Sequence, residues 1–524
     1  MGRKWCAGRF KQWMDPLFLI GRMGRRSSLR DVEGQGQMAR FRADVRSGWK
    51  ELRRTTSNSH KWLVFAVVAA GLVLRLARLG DGITYDEAFT ASFYASRTTG
   101  FLLSDYSWPG NHLLFTLLVK LTMQLFGTHL WSLRLPALLA GVCVLPLFYL
   151  FVRQMFNRYV AVLALSFVAA SGALIEYSAL ARGFSLSWLF MVAAWVAGRH
   201  LAKRNNTVSA LLVALFCALG MWAAPAMLPA ALSTYLWLLL YLLSLYKTSL
   251  NRRLPLLLLS FTVFIVLTAL AYTPVVMTHN LGHLLRHPAL GEYDWAQFTR
   301  THQDRAAALW VFLNDTTNLW LSLILFIGMA YAAYISAKYR SMLIALIGGC
   351  VPLVLIRASV GAPEGWAFLL FNVYIGTALA LFYLLKFVQE NIHAGFGKRF
   401  RTALACALVL MGLGWAGITR HVDHGHRFVD VPKAAAWFKG TLHPGDRVRV
   451  APPADAPFKF HLRAEGMDPA YVNATGGNGR LYALVSPAEG QTVGRVIKGD
   501  PRSADSTAMV KVMDWRRVEI WLRP

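Results

Sequence analysis

Eleven apolar runs of roughly membrane-spanning length divide this sequence, and they limit the fold more than any other feature. The runs are 62–79, 135–152, 159–176, 184–198, 207–223, 225–246, 255–274, 317–336, 342–356, 365–385 and 402–418. A helix needs about 20 mainly apolar residues to cross a bilayer. The composition agrees, because 56% of residues are hydrophobic and the mean hydropathy is +0.41. We therefore predict an all-α polytopic membrane protein with about eleven transmembrane helices.

Lysine and arginine fall mainly in every second turn between these runs. The basic turns lie at 153–158, 199–206, 247–254, 338–340 and 386–401. Glu390 is the only acid within these turns. Because positively charged turns are retained in the cytoplasm, the alternation predicts a cytoplasmic amino terminus. The outer face then receives residues 80–134, 177–183, 275–316, 357–364 and 421–524.

The apolar segment 112–127 needs a different interpretation. It has 16 residues, with Lys120 near its middle, and counting it as a span would place all later basic turns outside. Such a short, charged segment suits a helix lying in the membrane interface. We expect it to lie against the outer face.

The two ends of the chain differ from its apolar middle. Residues 1–61 form a basic arm that lacks the apolar core of a secretory signal, with an amphipathic pattern from Met38 to Arg54. Met38 is also an alternative start of translation. In residues 421–524 the apolar runs shorten to strand length, as in Arg447–Val450, and turn residues separate them, with a helix predicted over Val431–Lys439. We therefore predict three parts: a cytoplasmic arm (1–61), a transmembrane domain (62–420) and a small outer α/β domain (421–524).

The net charge of +28 suggests anionic partners. Since the positive charges cluster between apolar runs, they suit topology and contact with anionic lipid headgroups rather than nucleic acid. The five cysteines have neither metal-ligand spacing nor a disulfide pattern. We expect the lipid bilayer to be a partner and nucleic acid not to be one.

Two adjacent acids, Asp86 and Glu87, follow the first apolar run directly. Ionisable groups at membrane depth are costly and usually mark function. Two solvated acids that simply end the span would give the same pattern. Further acids, histidines and arginines occupy 275–316 on the same predicted face, so the pattern favours an active site there.

Several short motifs then appear in a fixed order. They are Tyr85-Asp86-Glu87, Pro109-Gly110-Asn111-His112-Leu113-Leu114-Phe115, Phe126-Gly127, Arg134-Leu135-Pro136-Ala137-Leu138-Leu139-Ala140-Gly141, and Tyr177-Ser178 followed by Ala181-Arg182-Gly183-Phe184. In order and spacing they resemble the GT-C glycosyltransferases of the protein O-mannosyltransferase and lipid A aminoarabinose transferase type. The resemblance covers about residues 60–250 and is architectural from 250 to 420. The sequence departs from the family at Ala179-Leu180, where a Gln-Glu pair is usual.

The resemblance implies roles for individual residues. Asp86 corresponds to the acid that deprotonates or orients the acceptor, and Glu87 to a residue that orients the loop or binds sugar hydroxyls. Arg182 corresponds to an arginine that stabilises the leaving phosphate, although a span-end arginine reaching to headgroups would look the same. Arg286 is a second candidate for phosphate binding. The expected substrate-binding residues are Tyr85, Trp108, Asn111, His112, Arg134, Glu176 and Tyr177.

The resemblance also implies an activity. We expect a sugar to pass from a polyprenyl-phosphate-linked donor to an envelope acceptor, which could be a lipid, a glycan or a protein. The reaction would take place at the outer face of the cytoplasmic (inner) membrane and need no cofactor. A divalent metal held by Asp86 and Glu176 is an alternative, but two carboxylates alone make a poor site. A lipid-linked sugar transporter and a non-catalytic envelope assembly protein are the alternative functions.

Overall fold

The computed structural model describes residues 36–285, 294–314, 319–392, 397–419, 427–476, 479–498 and 508–523. It is a helical membrane protein with a small carboxy-terminal α/β unit, so the predicted fold class is confirmed. The amphipathic segment of the arm forms helix α1 (Gln37–Thr55). Helix α1 contacts two of the predicted cytoplasmic turns, because Arg153 and Arg158 donate hydrogen bonds to Thr55, and Asp44 pairs with Arg204.

Each of the eleven apolar runs lies largely on a helix. The helices are α2 (Asn58–Leu76), α6 (Leu130–Met155), α7 (Arg158–Ala170), α8 (Gly172–Ala179), α9 (Phe184–Arg204), α10 (Thr207–Ala223), α11 (Leu228–Leu245), α12 (Leu250–Leu285), α14 (Leu319–Ile335), α15 (Ala337–Arg357), α16 (Leu369–Ile392) and α17 (Lys398–Thr419). Three shorter helices, α3 (Tyr85–Phe89), α4 (Thr99–Ser104) and α5 (Leu113–Phe126), precede α6, and α13 (Trp295–Asn314) follows α12.

Fewer helices are long and apolar enough to span a membrane than the sequence predicts. In the described residues seven helices qualify, or eight if α7 and α8, which meet at a bend of 59°, form one broken span. The other three predicted runs lie on α9, α10 and α14, which do not meet the same criteria. The count of eleven is therefore not confirmed.

Helix α5 occupies the predicted interfacial segment. Its 14 residues span about 21 Å, which is shorter than a bilayer core of roughly 30 Å. It buries Leu113, Phe115 and Val119. The short length agrees with an interfacial helix, and its position in the membrane stays a prediction.

Helices α6, α7 and α9 form the centre of the bundle. Every side chain from Val160 to Ala170 on α7 is buried. Gly141 lets α6 approach α8 closely, because a Cβ at this position would collide with the side chain of Ser178. Small residues allow such close helix packing within membranes. The approach places α6 against the end of α8, beside which the candidate site lies.

The carboxy-terminal unit contains a four-stranded sheet in the order β3-β4-β6-β5. Its strands are β3 (Arg447–Val450), β4 (Leu481–Val485), β5 (Val510–Trp515) and β6 (Val518–Arg523), and only the β3–β4 pair is parallel. The unit also has helices α18 (Val431–Lys439), α19 (Asp455–Ala464) and α20 (Val493–Ile497). Phe438, Phe458 and Tyr482 form its aromatic core. The sequence predicted α18 and β3 with the same bounds.

A short antiparallel ladder joins this unit to the loop that follows α2. Strand β1 (Ile83–Thr84) pairs with β2 (Arg427–Phe428), with Thr84 opposite Arg427. Apolar residues of both segments, including Ile83, Ala88 and Phe428, share one buried cluster. The carboxy-terminal unit is therefore anchored beside Asp86.

Candidate active site

The loop that carries Asp86 is held by a buried ion pair between Glu87 and Arg134. Both side chains have no solvent exposure. Arg134 donates from Nε to Glu87 Oε1 at 2.8 Å and from Nη2 to Oε2 at 2.7 Å. Its guanidinium also donates to the carbonyls of Leu79, Asp81 and Gly82. This bidentate geometry is the strong form of an arginine–carboxylate contact.

The Glu87 carboxylate is fully engaged by protein groups. Besides Arg134, it accepts hydrogen bonds from the Ala181 amide at 2.7 Å and from the Thr84 amide at 3.0 Å. Burial alone would raise the pKa of Glu87, but Arg134 and these amides outweigh burial and lower the pKa below its usual range. The contacts favour the orienting role over a contact with sugar hydroxyls.

Asp86 and Arg182 form the second ion pair of the site. The Asp86 side chain is 41% exposed, whereas that of Arg182 is 13% exposed. Burial opposes the charge of Arg182, but Asp86 and then Glu364 outweigh it, so the pKa of Arg182 lies above its ordinary value. Asp86 thus faces an accessible space, with a cation fixed beside it.

The Arg182 guanidinium has capacity for a further anion. Its Nη1 donates to Asp86, whereas its buried Nε makes no hydrogen bond to any residue that the structure describes. The guanidinium carbon lies 5.6 Å from the ring centroid of Phe184. An arginine has five N–H donors, so this side chain can bind a phosphate oxygen while it remains near Asp86.

Glu176 pairs with an arginine that the sequence did not indicate. Its Oε1 accepts from Arg427 Nη2 at 3.0 Å, and Arg427 Nη1 lies 2.6 Å from Asp81 Oδ2. Glu176 is 2% exposed and thus contributes to the structure around the site. Within the described part of the chain, no group of three or more histidine, cysteine, aspartate or glutamate side chains could hold a metal ion.

A row of contacting aromatic residues begins at Tyr85, the residue before Asp86. Tyr85 lies beside Phe89 at 5.8 Å between ring centroids, and Phe89 lies 6.1 Å from Trp108. Trp108 is 40% exposed. Tyr85 and Trp108 therefore remain available to a substrate. Burial, with Asp455 and Asp86 nearby, raises the pKa of Tyr85 to about 12, so its hydroxyl remains protonated near neutral pH.

Asn111 and His112 are buried beneath this surface. Asn111 Nδ2 donates to the carbonyls of Leu102 and Asp105, which fixes the loop before α5. His112 packs against Phe184 at 5.1 Å. Burial, and then the charge of Arg182, lowers the pKa of His112 to about 3, so the ring is neutral. These two residues position the loop rather than line its open side.

Two residues of the segment 275–316, which the sequence predicts to be outer, contact the loop after α2 and helix α8. His279 Nε2 lies 3.3 Å from Asp105 Oδ1. The ring of Phe312 lies 5.9 Å from that of Tyr177, which also packs against Phe184 at 5.4 Å. Tyr177 thus sits between this segment and Arg182. Arg286, the second candidate for phosphate binding, lies outside the described residues.

Two site residues come from the carboxy-terminal unit and were missed in the sequence. Arg427 is one. The other is Asp455 at the start of α19, whose buried Oδ1 has no hydrogen-bond partner among the described residues and whose charge acts on Tyr85. No sequence motif marks either residue, because each is brought to the site by tertiary packing.

The fold is similar to two crystal structures of ArnT from Cupriavidus metallidurans. The apo structure has a TM-score of 0.58 and 14% identity, and the match covers 89% of this chain and 99% of ArnT. The structure bound to undecaprenyl phosphate has a TM-score of 0.59 and 14% identity, and the match covers 88% and 98%. The protein therefore has a GT-C fold, and the resemblance found in its sequence is confirmed at the level of the fold.

Part of the sequence also matches a family model. Residues 111–272 match the family described as Dolichyl-phosphate-mannose-protein mannosyltransferase. This segment contains Arg134, Glu176 and Arg182, whereas Asp86 and Glu87 precede it. No curated protein matches the chain.

Proposed function

We propose that this protein is a membrane glycosyltransferase that moves a sugar from a polyprenyl-phosphate carrier to an envelope acceptor. The Asp86–Arg182 pair carries the proposal, because it places an accessible carboxylate beside a cation with unused donors. The matching family and the ArnT structure bound to undecaprenyl phosphate support this substrate class. The reaction takes place at the outer face of the cytoplasmic membrane, where the carboxy-terminal domain also lies.

The proposed chemistry is a displacement at the anomeric carbon of the donor. Asp86 accepts the proton of the acceptor hydroxyl as its oxygen bonds to that carbon. The bond from the anomeric carbon to the phosphate oxygen breaks, and the phosphate leaves with that electron pair. Arg182 stabilises the leaving phosphate by charge-assisted hydrogen bonds. Because the incoming phosphate shares Arg182, it also loosens the hold of Arg182 on Asp86 and frees that carboxylate to act as a base.

The remaining candidate residues divide into two groups. Tyr85, Trp108 and Tyr177 offer aromatic surface at the open side of the site, where a sugar ring can pack. Glu87 and Arg134 fix the loop from behind. This division explains why the adjacent acids Asp86 and Glu87 differ so strongly in exposure.

The decisive experiment is Asp86→Asn in protein reconstituted into lipid. A panel of synthetic undecaprenyl-phosphate sugars serves as donor, and released undecaprenyl phosphate is measured by mass spectrometry. Turnover should fall by roughly 10²–10⁴, the usual contribution of a positioned base, while donor binding is retained. Asp468→Asn, at an exposed aspartate of the loop after α19, is the matched control.

Two results would contradict the proposal. One is near wild-type turnover by a folded Asp86→Asn protein, which removes this residue from catalysis. The other is movement of the intact lipid-linked sugar across the bilayer without release of undecaprenyl phosphate, which is the behaviour of a transporter.

A further inference from the structure

The carboxy-terminal unit has an open pocket of about 500 Å³ that takes no part in the chemistry above. Its lining comes from the segment after β2, the start of α18 and the β5–β6 turn. The lining residues are Val429, Asp430, Lys433, Trp515, Arg516 and Arg517. A concavity of this size is within the range that small ligands occupy.

Positive charge dominates this lining. Among the described lining residues Asp430 is the only acid, and it already pairs with Lys433 at 2.8 Å. Arg516 and Arg517 are exposed at the hairpin tip. The turn is anchored, because the Arg516 amide donates to Asp514 Oδ1 at 3.1 Å and Ser486 Oγ donates to the Arg517 carbonyl at 3.1 Å. Two guanidinium groups on an anchored turn suit bidentate recognition of carboxylate or phosphate.

Trp515 adds an aromatic ring, which recognition of a simple anion does not require. Its half-buried indole forms part of the lining beside the two arginines. An aromatic face packs well against the apolar C–H face of a sugar ring, and the indole N–H is a donor for a hydroxyl. Two cationic side chains beside one aromatic face therefore match an acidic saccharide better than they match an inorganic ion.

The pocket begins next to the candidate active site. Val429 follows β2 directly and lies against Gly82, where an added Cβ would be 3.0 Å from Val429 Cγ2. Gly82 precedes Asp86 by only four residues, a length of chain that spans at most roughly 14 Å. An oligosaccharide held in the pocket could therefore extend toward Asp86.

From these observations we infer that the pocket binds an acidic saccharide portion of the acceptor, a few sugar units from the hydroxyl that receives the transferred sugar. The identification of the ligand as part of the acceptor rests on the proposed function, whereas the existence of a saccharide-binding site does not. It assigns Arg516, Arg517 and Trp515 to acceptor specificity rather than to catalysis.

The test is direct binding to the full chain in phosphatidylcholine nanodiscs, measured by calorimetry at fixed ionic strength. The probes are hexagalacturonate and the neutral maltohexaose. Wild-type protein should bind hexagalacturonate more tightly, and the double variant Arg516→Gln/Arg517→Gln should weaken this binding by roughly tenfold or more. Arg495→Gln/Lys498→Gln, which removes two exposed charges of the same unit, should change binding less than about twofold.

Different outcomes separate the possible errors. Equal losses of hexagalacturonate affinity in the two double variants would show diffuse charge attraction and overturn the inference. Displacement of hexagalacturonate by inorganic phosphate at equal ionic strength, together with normal binding by Trp515→Leu, would show an anion site without saccharide recognition and also overturn it. Asp86→Asn should bind hexagalacturonate as wild type does, so failure of the transfer assay bears on the proposed function and not on this pocket.

Discussion

The buried pair of Glu87 and Arg134 allows a quantitative prediction for Glu87→Gln. The substitution preserves shape but removes the charge, so the guanidinium of Arg134 remains buried without its counter-ion. Breaking one side of a buried ion pair costs about 3–5 kcal/mol. Because Arg134 keeps three carbonyl acceptors, we expect a loss near the lower end, about 3 kcal/mol in the free energy of unfolding.

The measurement is equilibrium unfolding by titration with sodium dodecyl sulfate in mixed micelles. Glu390→Gln, which removes the acid of the more exposed Lys386–Glu390 pair, is the control and should cost less than about 1 kcal/mol. The double variant Glu87→Leu/Arg134→Met should recover much of the loss, because it leaves no uncompensated charge. Equal stability of Glu87→Gln and the control would refute the structural role. A well-folded Glu87→Gln protein with lost turnover would instead place Glu87 among the groups that touch substrate.

Three further predictions concern donor binding, pH and topology. Arg182→Ala should strongly weaken binding of undecaprenyl phosphate to purified protein. Arg182→Lys should recover only part of the affinity, because lysine lacks the planar donor geometry of the guanidinium group. Equal affinity in wild type and both variants would leave Arg182 as a headgroup anchor. The depressed pKa of His112 should make the free energy of unfolding fall as pH drops from 6.5 toward 3, because in this range His112 is protonated only in the unfolded chain. His112→Gln should reduce this dependence on pH in unfolding titrations. An unchanged dependence would exclude His112 as its source. In a cysteine-free background, an impermeant thiol reagent added outside should label Thr99→Cys and not Thr248→Cys, both at exposed positions, and the reverse result would invert the proposed topology.

Local patterns explain what the sequence predicted well. Apolar runs and basic turns depend on neighbouring residues, so the helices around 135–152 and 402–418 were found without any tertiary information. Helix α18 has proline near its start and glycine after its end, and β3 is a short alternating stretch between turns. The order of motifs likewise indicated that Asp86 and Arg182 belong to one site, and the structure brings them into contact.

Partner choice among charged groups could not be predicted in the same way. The sequence suggested that Glu176 contacts substrate or joins Asp86 at a metal, but its partner Arg427 lies 251 residues away. Arg427 reaches Glu176 only because β2 pairs with β1, and a strand of two residues has no detectable period. Glu87 and Asp86 are adjacent and chemically similar, so only the position of Arg134 explains why one is buried and the other exposed.

The position of Arg427 has a consequence for how the site is held together. Asp81 lies five residues before Asp86, and Glu176 lies six residues before Arg182. Since Arg427 pairs with both acids, one side chain of the carboxy-terminal unit links the segment that carries Asp86 to the segment that carries Arg182. The Ala181 amide on Glu87 makes a second link between the same segments, within the membrane domain itself. Two contacts, one from the carboxy-terminal unit and one within the membrane domain, therefore hold the segments of Asp86 and Arg182 together.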